Sequence, residues 1–212
     1  MTEFWESNFR EKQEMWGFEP TSSVVYTAEL MKDNGLKKLL IPGFGYGRNA
    51  QYFTEKGFDV TGIEISKTAI ELARKHYGDN TKVYHGSVCD MPFDEEVYDT
   101  IFCHALIHLL DEKDRLKLIK NCYNQLRVGG YLVFVVISTN DKSYGIGEKL
   151  SHNRYRTKHG VNLFFYDEIA VEKEFGNYGL VSINEIQEPP KTIENKPSQL
   201  FWQITCKKGL EI

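Results

Sequence analysis

The residues whose types and spacing point most directly to chemistry are three glycines at alternate positions, in Gly43-Phe44-Gly45-Tyr46-Gly47. They sit between an apolar run and an amphipathic stretch, the order of a strand, a tight loop and a helix. There glycines permit positive φ and let the backbone approach a ligand closely. The helix start beyond them presents unpaired N–H groups and a positive dipole end to something polar or anionic. Glu64 follows Gly45 by 64 − 45 = 19 residues, at the end of the next apolar run. A carboxylate at that point can accept both hydroxyls of a ribose, having two oxygens and no donor of its own. His104 and His108, after a later apolar run, are candidates for acid/base work. Tyr144, Arg154 and Arg156 lie in a basic, tyrosine-bearing stretch that can hold a carboxylate or phosphate. Its other reading is a solvated loop.

The elements that must position these residues alternate in type from Leu36 to Ser138, as expected of parallel strands joined by helices. Leu36 to Pro42 reads as a first strand, and Arg48 to Lys56 as a helix stopped by Gly57. Phe58 to Ile65 reads as a second strand, and Ser66 caps a helix running to about His76. A short strand near Lys82 to His85 precedes a fourth at Val97 to Cys103. Asp111 caps a helix in which Leu116, Ile119, Tyr123 and Leu126 form the expected core stripe. The turn Gly129-Gly130 launches a fifth strand, Tyr131 to Ser138, apolar enough to be covered on both faces.

Thr139 to Asn162 is polar and glycine-bearing and reads as an insertion or lid. Phe165 to Phe175 is a plausible helix. Leu180 to Ile186 and Leu200 to Cys206 read as two strands that pair antiparallel, joined through Pro189, Pro190 and Pro197. The expectation is an α/β, Rossmann-like, doubly wound and mostly parallel seven-stranded sheet with an antiparallel strand at its carboxyl end. Residues 1–212 read as one domain, with 1–34 as an amino-terminal cover and 139–164 as a lid or substrate insertion. The cover carries Trp16 among other aromatics; an ordinary helix packed on the sheet is the alternative.

Composition narrows the function classes. A net charge of −4 argues against nucleic acid as the main partner. The four cysteines are scattered without a CxxC, which suggests neither a zinc site nor a disulfide framework. No metal constellation is visible. The charged amino terminus lacks the apolar core of a signal peptide, and the longest apolar run is too short to cross a bilayer, so a cytoplasmic location is expected.

Loop and acid alone leave open a nicotinamide cofactor or S-adenosylmethionine, since Gly45, Gly47 and Ala50 also fit the looser dinucleotide pattern. The segments LLIPGFGYGRNAQYF, FDVTGIEIS, GSVCDMPFDEEVYDTIFCHALIHLL and LRVGGYLVFVVIS, in that order and spacing, resemble the class I S-adenosylmethionine-dependent methyltransferases. GYGRNAQYF and GFDVTGIEIS look most like the tellurite-resistance and thiol (thiopurine) methyltransferase branch. The resemblance spans about Leu36 to Ser138. It implies S-adenosylmethionine as cofactor, with Gly43, Phe44 and Gly45 around its methionine and ribose part. Glu64 then holds the ribose hydroxyls and Ile65 packs on the adenine face. Ser87, Val88, Cys89 and Asp90 form the adenine-edge loop, and His104 stands at the lip where cofactor and acceptor meet. Arg48 either meets the cofactor carboxylate or is a solvated first-turn arginine.

Two departures stand out. Ile41 occupies a place that is usually acidic, and Ser87 a place often held by Asp. The segment Cys103-His104-Ala105-Leu106 lacks the Asn/Asp-Pro-Pro-Tyr pattern of enzymes that methylate DNA or protein amides. The expected function is therefore methyl transfer to a small-molecule acceptor by in-line displacement. Its alternatives are a non-catalytic binding protein of the same fold, kept open by Ile41, and an NAD-dependent oxidoreductase.

Overall fold

A computed structural model describes residues 2–189 and 198–210. Pro190 and Pro197 of the expected connection lie outside the described residues. The chain separates into two compact units, 1–102 and 103–212. Strands of the main sheet run in the order β3-β2-β1-β4-β5-β10-β9, with the elements defined below. Among the described residues, no helix is long and apolar enough to cross a membrane.

The first unit opens with two helices, α1 (Thr2–Lys12) and α2 (Ser22–Asp33). Then β1 (Lys38–Pro42), β2 (Asp59–Glu64) and β3 (Lys82–His85) alternate with α3 (Arg48–Glu55) and α4 (Lys67–Tyr77), and β4 (Tyr98–His104) closes the series. β1 lies parallel to both β2 and β4, with Leu39 opposite Val60 on one side and Thr100 on the other. β1 is buried from Leu39 onward, as a central strand of a covered sheet must be. Local chemistry ends the helices where expected: Gly57 takes φ +80° just past α3, and the Ser66 hydroxyl accepts from Ala69 N–H at the start of α4.

The second unit contains α5 (Glu112–Asn124), β5 (Leu126–Ile137), α6 (Glu168–Phe175), β9 (Leu180–Glu188) and β10 (Gln199–Lys207). β10 pairs antiparallel with both β5 and β9, so Phe201 faces Ile137 on one side and Ile186 on the other. From Tyr131 to Ile137, β5 is buried throughout. The strand begins earlier than the sequence suggests: Gly129, at φ +79°, lies inside it and donates to the Lys208 carbonyl rather than forming a free turn. Asp111 caps α5 by accepting from Asp114 N–H.

The inward stripe of α5 is a correction. Leu116 is 41% exposed, and the buried face is Arg115, Leu118, Ile119 and Cys122. A guanidinium turns the helix by one residue. Arg115 donates from Nε (3.1 Å) and Nη2 (2.8 Å) to Glu174 Oε1 on α6, and lies 3.8 Å from the Phe164 ring centroid. Tyr166 donates to the other Glu174 oxygen at 2.8 Å. Paired and stacked in this way, Arg115 is an inward residue, which polarity alone hides.

The segment read as an insertion or lid contains a small antiparallel sheet, β6 (Glu148–Ser151), β7 (Arg154–Arg156) and β8 (Asn162–Phe164). Its far end is tied down. Phe165 N–H donates to Asn153 O, Tyr166 N–H to Ile137 O, and Trp202 Nε1–H to Tyr166 O. α6 accordingly starts at Glu168, capped by Asp167, and not at Phe165. Removing one partner of a buried ion pair strands the other, at a cost of roughly 3–5 kcal/mol. Glu174→Gln is therefore expected to lower unfolding stability by an amount of that order, whereas Arg115→Met with Glu174→Leu loses much less; urea unfolding of the three proteins checks this.

Candidate cofactor and active site

In the first unit, the glycine loop leaves β1 and immediately folds back on β2. Gly43 and Phe44 N–H both donate to Ile63 O, at 2.9 and 3.0 Å. Phe44 then lies across Gly62, where a Cβ would come within 2.3 Å of its ring. The bare backbone at Gly62 is thus what seats the loop. Gly47, at φ +83°, starts α3 and contributes no side-chain cap. A Cβ there would crowd Phe44, Tyr77 and Ala73 at 3.2–3.3 Å.

Glu64 ends β2 with its carboxylate almost fully buried, 5% exposed. Oε2 accepts from Gly45 N–H at 2.7 Å and Oε1 from Ser66 N–H at 2.9 Å. Burial pushes its carboxyl above the usual range, opposed by the backbone N–H groups of Ser66, Gly45 and Ile65. A carboxylate has about four lone-pair sites, so capacity remains for a ligand hydroxyl. Next to it, Gly45 (φ +60°) has open space where a Cβ would stand. A buried acid beside a bare, open backbone fits the ribose of a nucleoside ligand such as S-adenosylmethionine.

Ile65 follows, half-buried. Ser87 caps a single turn of 3-10 helix, Val88–Asp90, by accepting from Cys89 N–H. Val88 is buried, Cys89 half-buried and Asp90 exposed. All four cysteines are free thiols. Ile41 is buried in β1, so no polar group stands in the place where an acid is usual.

The amino-terminal stretch grips this region at three places. Glu6 on α1 accepts from Ser66 Oγ (2.7 Å), Thr68 Oγ1 (2.5 Å) and Thr68 N–H (3.3 Å), at the start of α4. Farther along, Trp16 stacks on Tyr46 at 6.1 Å, and the Tyr46 hydroxyl donates to Gly17 O at 2.6 Å. Arg48, open to two readings from sequence, donates to the Trp16 carbonyl at 3.1 Å. Glu14 on this stretch also pairs with His76 of α4.

In the second unit, His104 Nε2 lies 2.6 Å from Glu188 Oε2, with 13% and 3% of the side chains exposed. No local sequence signal marks Glu188, which pairs only because β9 and β10 are antiparallel. His108 is buried, and its Nδ1 accepts from Ile137 N–H at 3.2 Å. Burial, followed by the neighbouring His104, lowers its pKa to about 3, so it is a neutral packing residue. Arg154 donates to Leu110 O at 2.7 Å, and Arg156 to Glu148 and Asn162. Tyr144 donates to Asn153 Oδ1 and packs edge-on against Tyr155 and Phe165.

The Thr68 hydroxyl and then the Ser66 hydroxyl hold the Glu6 carboxyl down at about 2, from 4.5. A depressed folded value stabilises α1 above pH 4.5, and this stabilisation is lost as pH falls through about 2. Emission from Trp5 and Trp16 is expected to report α1 loosening across that window. Glu6→Gln should show looser packing at neutral pH and no such acid step; superimposable profiles would contradict the anchor.

Comparison with known proteins follows the same part of the chain. Residues 40–134 match the family model described as a methyltransferase domain. A ubiquinone biosynthesis O-methyltransferase of Aliivibrio fischeri is 32% identical over 117 residues, 52% of this chain and 49% of that protein. The chain thus aligns with about half the length of the curated relatives it matches. Among solved structures, a Burkholderia thailandensis 1,6-didemethyltoxoflavin-N1-methyltransferase has a TM-score of 0.72 at 15% identity, covering 98% of this chain and 87% of that one. That protein holds 1,6-didemethyltoxoflavin and S-adenosylhomocysteine. TehB from Haemophilus influenzae has a TM-score of 0.65 at 21% identity, covering 96% and 67%. The fold is that of these two solved structures: α/β and Rossmann-like, with antiparallel strands at the carboxyl end.

Proposed function

We propose that this chain is an S-adenosylmethionine-dependent methyltransferase acting on a small molecule. The observation that carries the reading is the buried Glu64 carboxylate beside the open face of Gly45, inside the stretch that matches a methyltransferase domain. Bound there, S-adenosylmethionine supplies an electrophilic methyl group for in-line displacement. Glu64 accepts the ribose hydroxyls, Gly43, Phe44 and Gly45 line the methionine and ribose part, and Ile65 meets the adenine face. In the loop 87–90, Asp90 accepts from the adenine amine, since a carboxylate is an acceptor only and its side chain is exposed there. With Ile41 apolar, backbone carbonyls take the cofactor's amino group.

The chain works as one methyltransferase domain, with 1–34 as its cover and 139–164 as its substrate-side insertion. A cytoplasmic setting and the tellurite-resistance or thiol methyltransferase branch are the finer parts of this reading. The branch rests on GYGRNAQYF and GFDVTGIEIS. The acceptor is a small anion. Arg154 and Arg156, two residues apart on β7, share one strand face, as a clamp for a carboxylate requires.

A ligand that binds only the folded state at 100 times its Kd adds about 2.7 kcal/mol to stability. At roughly 2–4 °C per kcal/mol for a chain of this size, S-adenosylhomocysteine at that level is expected to raise Tm by about 5–10 °C. NAD should give no shift, and Glu64→Gln should lose most of the S-adenosylhomocysteine shift. No response to S-adenosylmethionine or S-adenosylhomocysteine would overturn the reading. For the acceptor, calorimetry with benzoate is expected to show weaker binding when Arg154→Ala and Arg156→Ala are combined, with unchanged affinity for S-adenosylhomocysteine.

A further inference from the structure

We infer that His85 is a positioning residue for the cofactor's ribose, acting on Glu64 through the single peptide plane that joins Ile65 to Ser66. The inference rests on the assignment of Glu64 to the ribose in the methyl-transfer reading above. His85 ends β3, opposite Glu64 at the end of β2. Its Nε2 lies 3.1 Å from the Ile65 carbonyl oxygen. A carbonyl only accepts, so the imidazole donates from Nε2.

The same peptide presents its N–H to the acid, for Ser66 N–H donates to Glu64 Oε1 at 2.9 Å. A trans peptide is planar, so its C=O and N–H point in opposite directions and cannot turn independently. Holding the carbonyl toward His85 therefore holds the N–H toward Glu64. Donation to the carbonyl also polarises the peptide, which strengthens the bond that its N–H makes.

The residues on either side fix His85 in place. Gly86 N–H donates to Glu64 O at 2.9 Å. The Phe93 ring covers Gly86, where a Cβ would come within 2.4 Å of it, and stacks on Tyr84 at 5.7 Å. The acid needs this support. Burial raises the Glu64 carboxyl, and the N–H groups of Ser66, Gly45 and Ile65, followed by His85, work to lower it. An ionised carboxylate accepts both ribose hydroxyls, whereas a protonated one gives up part of that capacity. His85 touches neither ribose nor methyl group in this arrangement; it keeps Glu64 ionised and oriented.

Four proteins test this: the wild type, His85→Gln, whose amide N–H can stand where Nε2 does, and His85→Leu and His85→Ala, which have no donor. Carbon-13 NMR of the ligand-free proteins follows the Glu64 carboxyl. It is expected to titrate at higher pH in His85→Leu and His85→Ala than in the wild type, with His85→Gln close to wild type. Ser66 amide hydrogen exchange should quicken several-fold in the two donor-free variants alone. As pH falls, their affinity for S-adenosylhomocysteine, read by calorimetry, should begin to drop at a higher pH than that of the wild type. An unchanged Glu64 titration and Ser66 exchange in either folded donor-free variant overturns the inference. So does a His85→Gln protein that behaves like His85→Leu. Failure of the wild type to bind S-adenosylhomocysteine removes the methyl-transfer reading, while binding with an unchanged Glu64 titration in the variants removes only the role of His85.

Discussion

A carboxylate buried at the end of a strand must be paired, because an unpaired charge there costs several kcal/mol. Glu64 meets that constraint with backbone alone. Its two oxygens draw in the N–H groups of Gly45 and Ser66, so the end of β2, the glycine loop and the start of α4 are gathered around one charge. The positive φ of Gly45 is what lets its amide turn toward the acid. Ser66 carries the arrangement outward, capping α4 with its oxygen while donating its hydroxyl hydrogen to Glu6 on α1. The acid that we assign to the ribose is therefore also the acid that shapes the loop.

The second unit is organised by the same rule with different partners. Arg115 and Glu174 are both buried, and each is satisfied by the other, by Tyr166 and by the Phe164 ring. This cluster joins α5, α6 and the end of the β6–β8 sheet. Trp202 and Asn153 add hydrogen bonds to Tyr166 and Asp167 at the end of that sheet. Tyr155 and Phe165 are buried there and pack edge-on with each other and with the more exposed Tyr144.

Several features were legible from local chemistry. Gly57, Ser66 and Asp111 mark helix ends because a helix terminus needs a left-handed residue or an acceptor within a few residues. The apolar run of β5 announces a covered strand. The α5 stripe was misread because Arg115 counts as polar in any pattern, and its partner Glu174 is 59 residues away. The small sheet was missed because its strands have three or four residues, too few for an alternation to stand out.

The sequence by itself determined the alternation of strands and helices from β1 to β5, the glycine loop and the acid that follows it, because each of these is written in a short stretch of chain. It could name His104 but not what holds it. Glu188 lies 84 residues farther on, and only the antiparallel return of β9 beside β10 brings it to the imidazole. The one-residue turn of α5 and the small sheet within 139–164 were likewise decided by tertiary structure. Each depends on a buried polar group finding a partner from a distant part of the chain, and no local pattern records where that partner will be.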